Sequence, residues 1–449
     1  MKNVSVIFDI GKTNKKCLVF NEDYSIDSII KMNFEPIIDD DGDPSEDLYS
    51  VIDWITKTLN HFLNSQDYTV TYLNFTTYGA TLVHLDSNLK IITPIYSYTK
   101  EFPESLTRLF LGRYTDVVEV EAAAPLEGML NSALQLFWIK NNKPEKFRQI
   151  QHSVHFPQFL SFLFTKKLFS GICSIGCHTF LWDYRQNQYH NWITSEGFTN
   201  LLPPIMPMWH TEKASVDGKE INIGIGIHDS SAALIPYLKI MPEPFILVST
   251  GTWCVALNPF NCQDFSREIL DQQCLNYMSY EQKPVRAAKL FMGFEHELQL
   301  KKLLLLFNLE QEYLETIKLN QNVFTAIAHD SCSYFKFENL PNCDPFQPFD
   351  EDWDFEHCYY RLIYELVSIL VKTIGIAKGN DEFSNLIVDG GFVKNTIFLY
   401  ALQSRLDGWN IFISNCTYGS ALGALLVGEP SLNMVVLESA LSIQKLNFN

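Results

Sequence analysis

The sequence has no apolar run approaching the roughly 20 residues that span a bilayer, and its amino end has no charged lead followed by a signal-type apolar core. Membrane insertion and secretion are not expected, and a cytoplasmic location is. A basic patch is missing too. Lys and Arg number 34 against 52 Asp and Glu, and the net charge of -18 repels nucleic-acid backbones and anionic membranes, so neither is expected as a partner. There is no compact cysteine framework: ten Cys are scattered through the whole chain, as reduced thiols are in a large intracellular protein. Their one close set, Cys173, Cys177 and His178, falls one ligand short of a structural zinc site. Low-complexity segments are also lacking.

What is present is apolar surface to bury. Hydrophobic residues make up 47% of the chain and charged residues 19%, with 33 Phe and 20 Tyr, which describes a globular protein. At 449 residues the chain exceeds the usual single-core limit, and the length prior is roughly two to four domains. Two large lobes fit.

The first apolar run holds an anomaly. Val6, Ile7, Phe8 and Ile10 read as a strand covered on both faces, Cys17 to Phe20 read as a second, and a polar turn separates them. Asp9 sits inside the first. An unpaired carboxylate moved into an apolar interior costs many kcal/mol, so a strand-end Asp implies a cation, hydrogen-bond donors or a mouth of solvent.

Further along, IIDDDGDPSEDLYSVIDWI reads as an acidic loop feeding a helix. Ser45 stands at the N-cap, Glu46 and Asp47 suit the positive helix end, and Leu48, Val51, Ile52, Ile55, Leu59 and Phe62 recur at helical spacing. The acidic run departs from the EF-hand pattern, because Gly42 precedes Asp43 and Pro44 follows it; a solvated loop is expected. A strand running into TTYGATLVHLD, then PIYSYTKEFPE, helical text from Asn131 to Lys140 and an apolar helix around Phe159 to Phe164 give the alternation of α/β layering. Near Ile221 the text becomes INIGIGIHDSSAALIPYL, and a new series of elements begins. The lobe boundary is placed there, dividing residues 1–222 from 223–449 to within about ten residues.

In the second half, FILVST, a Gly-Thr turn and WCVAL repeat the opening plan of strand, polar turn, strand, which suggests an internal duplication. There follow helices around His296 to Phe307 and from Trp353 to Lys378, the strand NLIVDGG, the helix of KNTIFLYALQSRL, the strand NIFIS and a final YGSALGALLVG helix.

Three Gly-bearing turns thus stand at strand ends: DIGKTNKK at residues 9–16, STGTW at 249–253 and DGGFVKN at 389–395. Glycine lets backbone come close to a ligand, and exposed amides and Thr hydroxyls are the donors that phosphate oxygens need. Any one of them alone is more often just a turn. Their order, however, resembles the actin-like ATPase superfamily and, within it, the FGGY carbohydrate kinases. The family's DIGTTSTR is similar to this chain at Asp9, Ile10, Gly11 and Thr13, with Lys16 for Arg. Its SSGTW is similar to Ser249 to Trp253, and its GGGSKN to Gly390, Gly391, Lys394 and Asn395. YGSALGALL resembles EASALGAAL, and HDSSAAL at 228–234 resembles HDTASA, so the likeness runs from residue 6 to about 427.

The resemblance implies an α/β, two-lobe actin-like ATPase (ribonuclease H-like) fold, with duplicated domains and an inter-lobe cleft. It implies an ATP-dependent carbohydrate kinase with ATP and Mg²⁺ as cofactors and a small sugar as substrate; a homodimer is left open. Asp229 is carried over as the base for the sugar hydroxyl, the bland alternative being a cap for a helix starting at Ser230. Nucleotide contacts fall to Asp9, Gly11, Lys12, Thr13, Asn14, Lys16, Thr250, Gly251, Thr252, Gly390, Gly391 and Asn395. The metal falls to Asp9 and Asp229, expected from separate lobes, and the sugar to Thr77, Tyr78, His228 and Asp229.

Lys12 stands where the family more often has Thr, and either neutralises phosphate charge or points into solvent. Tyr78 replaces a sugar-binding Gln, and Thr99 and Lys100 stand where charged sugar partners are expected. PIYSY, SIGCHTFLWDY and LLPPIMP look most like the rhamnulose and fuculose kinases, so a deoxyketose is the first guess. His178, Trp182 and Tyr184 are either walls of the sugar cleft or a packed aromatic cluster. Two rival readings remain: a sugar- or nucleotide-binding sensor that lost transfer chemistry, and a filament-forming actin-like protein.

Overall fold

The computed structural model describes residues 1–330, 332–341, 346–350, 352–429 and 433–448. The first strand, β1 (Lys2–Ile10), buries Val6, Ile7, Phe8 and Ile10 alike, which accounts for an apolar run without alternation: both of its faces are covered. It forms a hairpin with β2 (Lys15–Asn21), which pairs in turn with β3 (Ile26–Met32). On its other side β1 runs parallel to β4 (Tyr68–Thr77). The sheet is completed by β5 (Thr211–Val216) and β6 (Lys219–Gly224), giving the order β5-β6-β4-β1-β2-β3, and by the short β7 (Ile227–His228), which also pairs with β4.

The second sheet repeats this plan. Its hairpin is β8 (Ile246–Thr250) and β9 (Cys254–Asn258); β10 (Cys274–Met278) and β11 (Pro284–Leu290) extend the β9 side, while β12 (Asn385–Gly390), β13 (Asn410–Ile413) and β14 (Gln444–Lys445) extend the other. As β1 is parallel to β4 and antiparallel to β2, so β8 is parallel to β12 and antiparallel to β9. This is a duplicated, two-lobe α/β arrangement, as the resemblance implies. The chain passes from one sheet to the other between His228 and Ile246.

Helices cover both sheets. The helix α1 (Leu48–Leu63) packs Leu48, Val51, Ile55, Leu59 and Phe62 into the first core as their spacing predicts. Its cap differs from expectation. Asp47 accepts the Ser50 N–H at 3.1 Å, whereas the Ser45 hydroxyl donates to Ile95 O at 2.6 Å, so Ser45 anchors a neighbouring segment three residues before the helix begins. Two helices join the lobes: α2 (Asp229–Ile240), which leaves the end of β7, and α5 (Gly419–Leu426). Between them in sequence, α3 (Phe355–Lys378) packs on β8, β9 and β11, and α4 (Thr396–Arg405) packs on α3. α2 and α5 meet at backbone contact, since a Cβ on Gly423 would lie 1.8 Å from Ala232 O. α5 also reaches the first sheet, where Asn74 Nδ2 donates to Ala424 O at 2.8 Å.

The acidic loop is exposed at Asp40, Asp41 and Gly42, as expected of a solvated loop, but Asp39 is buried and ion pairs tie the loop down. Lys100 Nζ lies 2.8 Å from Asp39 and 2.9 Å from Asp41 and also pairs with Asp43, while Lys143 and Lys146 pair with Asp40. One nearly buried ammonium draws three carboxylates around it, so Lys100 organises this loop and is not free to meet a sugar. The nine described cysteines are all free thiols, and no described helix is long and apolar enough to cross a membrane.

Candidate active site

The carboxylate anomaly of β1 resolves at the carboxyl ends of the parallel strands. Register places Asp9 beside Thr76 of β4 and His228 of β7 beside Thr77, so Asp9 and Asp229 rise from one edge of the first sheet. They do not come from separate lobes as expected, because the dipeptide strand β7 keeps Asp229 tied to β4. Open parallel sheets bind ligands at this end.

Asp9 faces Lys16 across the hairpin, with Nζ 3.9 Å from Oδ2. Burial lifts its carboxyl to about 6, against the pull of Lys16 and with a further push from Asp229. Asp229 is the first residue of α2. Its Oδ1 accepts the Ser230 N–H at 2.6 Å and the Ser230 hydroxyl at 3.1 Å, while Oδ2 has no hydrogen-bond partner among the described residues. The N-cap is His228, whose side chain makes no capping bond, so Asp229 does not cap a helix starting at Ser230. Burial lifts Asp229 to about 6 as well, opposed by the bonds from Ser230. A third of its side chain still meets solvent, which leaves the carboxylate reachable.

These shifts have a sign that stability can read. Both folded-state values lie above the ordinary 3.8, so each carboxyl favours folding when protonated; that contribution is complete below 3.8, is lost as pH rises to about 6, and is absent above it. Asn carries no charge at any pH. Asp9→Asn and Asp229→Asn should therefore each raise the melting temperature of the ligand-free protein near pH 8 and leave it nearly unchanged near pH 4. Thermal scans at the two pH values check this, and equal shifts at both would contradict it.

A cavity of about 470 Å³ opens in front of Asp229. The first lobe contributes Tyr78, Tyr98, Glu127 and His178, and the second Trp253, Gln273, Tyr277 and Lys289, with His228 and Asp229 at the junction. Tyr78 lines it as expected, but its hydroxyl donates to Glu46 at 3.1 Å. Thr77 is not among the lining residues: it is fully buried and its hydroxyl donates to Tyr78 O. His228 is held neutral, its pKa pushed by burial to about 4, and its Nε2 lies 3.3 Å from both Cys177 Sγ and Asp229 Oδ1. His178 lines the cavity, and its buried Nδ1 has no hydrogen-bond partner among the described residues. Trp182 and Tyr184 lie outside it; Trp182 stacks edge-on with Tyr189, and the Tyr184 hydroxyl bonds to Gly176 O.

The phosphate-type turns are also accounted for. Gly11 N–H donates to Asn14 O at 3.0 Å and closes the first turn, leaving Thr13 and Asn14 exposed at its tip. Lys12 does not simply point into solvent. Its Nζ rests 5.4 Å and 5.3 Å from the ring centroids of Tyr78 and Tyr98 and 3.5 Å from Ser97 Oγ, and burial lowers its pKa. In the second lobe, Gly251, Thr252 and Trp253 form an exposed turn. The Thr250 hydroxyl donates to Asp389 O at 2.6 Å and accepts Phe392 N–H at 3.1 Å, so it ties the second turn to the third. Gly390 has φ +97°, and a Cβ there would meet Thr250 O at 2.0 Å, which explains the glycine. Gly391 is exposed, and Asn395 caps α4 at Ile397 and Phe398 while donating to the Tyr359 hydroxyl. None of these turn residues except Trp253 lines the cavity of Asp229, although Lys16 reaches the Tyr418 ring just before α5, with Nζ 5.5 Å from its centroid.

Sequence reasoning missed Glu127, Gln273, Tyr277 and Lys289. Glu127 and Lys289 form an ion pair at 3.5 Å across the two lobes. It also missed Lys15, 2% exposed, whose Nζ is 2.9 Å from Glu46 beneath the first hairpin.

Residues 4–230 match the family model for the N-terminal domain of the FGGY family of carbohydrate kinases. No curated protein matches the chain. Among solved structures, a carbohydrate kinase from Novosphingobium aromaticivorans has a TM-score of 0.78 at 19% identity, covering 96% of this chain and 93% of that one. A ligand-bound xylulose kinase from Lactobacillus acidophilus also reaches 0.78, at 13% identity over 99% of this chain and 93% of that one. A Plasmodium falciparum glycerol kinase with ADP reaches 0.71 at 17% identity over 98% and 92%. At such identities these likenesses concern the fold.

Proposed function

Because the chain belongs to the FGGY family of carbohydrate kinases, phosphotransferases that carry a phosphoryl group from ATP to an alcohol, we propose that it phosphorylates a small sugar with Asp229 as the base for the reacting hydroxyl. The observation that carries this reading is the unpartnered Oδ2 of Asp229 on the wall of a sugar-sized cavity of about 470 Å³. Phosphoryl transfer asks mainly for alignment and charge neutralisation, so an oriented carboxylate suffices as base.

In this reading the sugar lies against the first lobe, whose sheet ends at His228, and the nucleotide against the second, whose sheet begins at Ile246. Gly11, Lys12, Thr13, Asn14 and Lys16 of the first turn and Gly251 and Thr252 of the second reach the phosphates; Gly390, Gly391 and Asn395 shape the adenosine side. Asp9 and Asp229 are oxygen donors close enough for one to raise the pKa of the other, a set that fits a hard cation. Mg²⁺ held there would supply charge neutralisation on the phosphates. Tyr78, Trp253 and Tyr277 exclude water from the reacting hydroxyl, and the His178 ring forms part of the same wall.

The aromatic walls suit a substrate with a methyl group, so L-rhamnulose and L-fuculose are the first candidates. A coupled ADP-release assay with ATP and Mg²⁺ across ketoses, aldoses and polyols tests the reading. Sugar-dependent ADP release, largest with a deoxyketose, is expected. Thermal stabilisation by a sugar with no sugar-dependent ADP would instead identify a binding protein.

A further inference from the structure

A second cavity, of about 510 Å³, lies in the seam between the lobes. It is walled by Tyr184 from the first lobe and by Phe260, Cys262, Phe265, Asn276 and Arg286 from the second. It shares only a strand with the catalytic cavity: Leu275 and Tyr277 of β10 line one, and Asn276 between them lines the other.

Arg286 makes this more than a surface dimple. It is 3% exposed, yet no carboxylate among the described residues comes within ion-pair distance of it. Among the described residues its side chain makes one hydrogen bond, from Nη2 to Gln263 O at 2.9 Å, and its buried Nε has no partner; the guanidinium lies 5.1 Å from the Phe265 ring centroid. Asn276 Oδ1 is likewise buried and has no hydrogen-bond partner among the described residues. The other charges of the pocket are accounted for: Lys283 pairs with Glu281 at 2.9 Å, Arg185 leans on Glu121 at 3.8 Å, and Asp264 is exposed. Asp381 acts on Arg286 only at longer range. A buried guanidinium that lacks an anion is costly, and its planar fork of donors matches carboxylate and phosphate oxygens.

We propose that this seam pocket binds a small organic anion, a carboxylate or phosphate ester carried on an apolar body, with its oxyanion on Arg286 and its apolar part against Phe260 and Phe265. Planar bidentate pairing would fill the donors that the protein leaves open, and Asn276 Oδ1 would accept from a hydroxyl or amide of the same ligand.

Cys262 supplies the reporter, since it lines the pocket and is the exposed thiol among the nine described cysteines. Full-length protein is alkylated with iodoacetamide in the presence of benzoate, phenyl phosphate or inorganic phosphate, and modification of Cys262 is followed by peptide mass. At ten times its dissociation constant, benzoate or phenyl phosphate should slow Cys262 modification about tenfold, and the better of the two identifies the headgroup. Inorganic phosphate, which lacks the apolar part, should protect less. Arg286→Met should abolish protection. Should that variant fail to fold, Cys262→Trp fills the mouth from an exposed position, and calorimetry should then show phenyl phosphate and benzoate binding lost. Unchanged Cys262 modification with all three probes, protection that survives Arg286→Met, or binding that survives Cys262→Trp would each overturn the proposal. None of these readouts uses sugar phosphorylation.

Discussion

Asp229→Asn should bind nucleotide as the parent protein does while its rate of sugar phosphorylation falls by roughly 10² or more, the scale of losing a general base. The geometry makes the substitution a clean one. Asn retains an oxygen for the Ser230 N–H, so the start of α2 need not move; the variant forfeits the proton acceptor at Oδ2, which has no partner among the described residues, and one negative charge at the cation site, where Asp9 remains. Single-turnover measurements with saturating ATP and sugar separate the two steps, because a loss confined to the chemical step leaves both dissociation constants in place. Near-normal turnover would remove Asp229 from the base role. Should the variant also prove more stable than the parent near pH 8, the site would show a carboxylate held at a cost to folding for the sake of reactivity.

Glu46→Ala should be the most destabilising of the single substitutions considered, by about 3–5 kcal/mol, the usual cost of stripping one partner from a buried ion pair. Glu46 receives Lys15 Nζ at 2.9 Å on one oxygen and the Tyr78 hydroxyl at 3.1 Å on the other, and both charged side chains are almost wholly buried. Lys15 also donates to Lys12 O at 3.1 Å, so the ammonium left behind would sit directly under the phosphate-type turn. Replacing both members, Lys15→Met with Glu46→Met, removes the stranded charge and should recover most of the loss. Denaturant unfolding of the three proteins checks this. A loss below about 1 kcal/mol in Glu46→Ala would mean that the pair behaves as an exposed one.

Much of this site was legible because its residues violate local rules. Asp9 announces itself as a charge in a doubly covered strand, and HDSSAAL, STGTW and DGGFVKN keep their spacing in the linear text. The duplicated hairpins were visible for the same reason: each is a contiguous stretch. What stayed hidden depends on contacts between distant segments. Nothing in YSYTKE says that Lys100 will close on Asp39, an ion pair 61 residues apart. Ser45 and Asp47 are equally good caps by residue type, and only the bond from Ser45 to Ile95 O decides between them. The origin of Asp229 was misjudged because β7 has two residues, too few to leave a periodic signal, although they tether it to the first sheet. Glu127, Tyr277 and Lys289 enter the cavity singly from separate elements, so no motif could carry them.

The contact between Gly423 and Ala232 constrains how the molecule can move. Where two helices touch through bare main chain, there is no side-chain layer to deform, and sliding would drive atoms into one another. Any closing of the two lobes is therefore expected as a swing with its fulcrum at this spot, with least travel there and most at the hairpin tips bearing Thr13 and Trp253. A single methyl group added at Gly423 should wedge the joint open within one turn of α2 from Asp229.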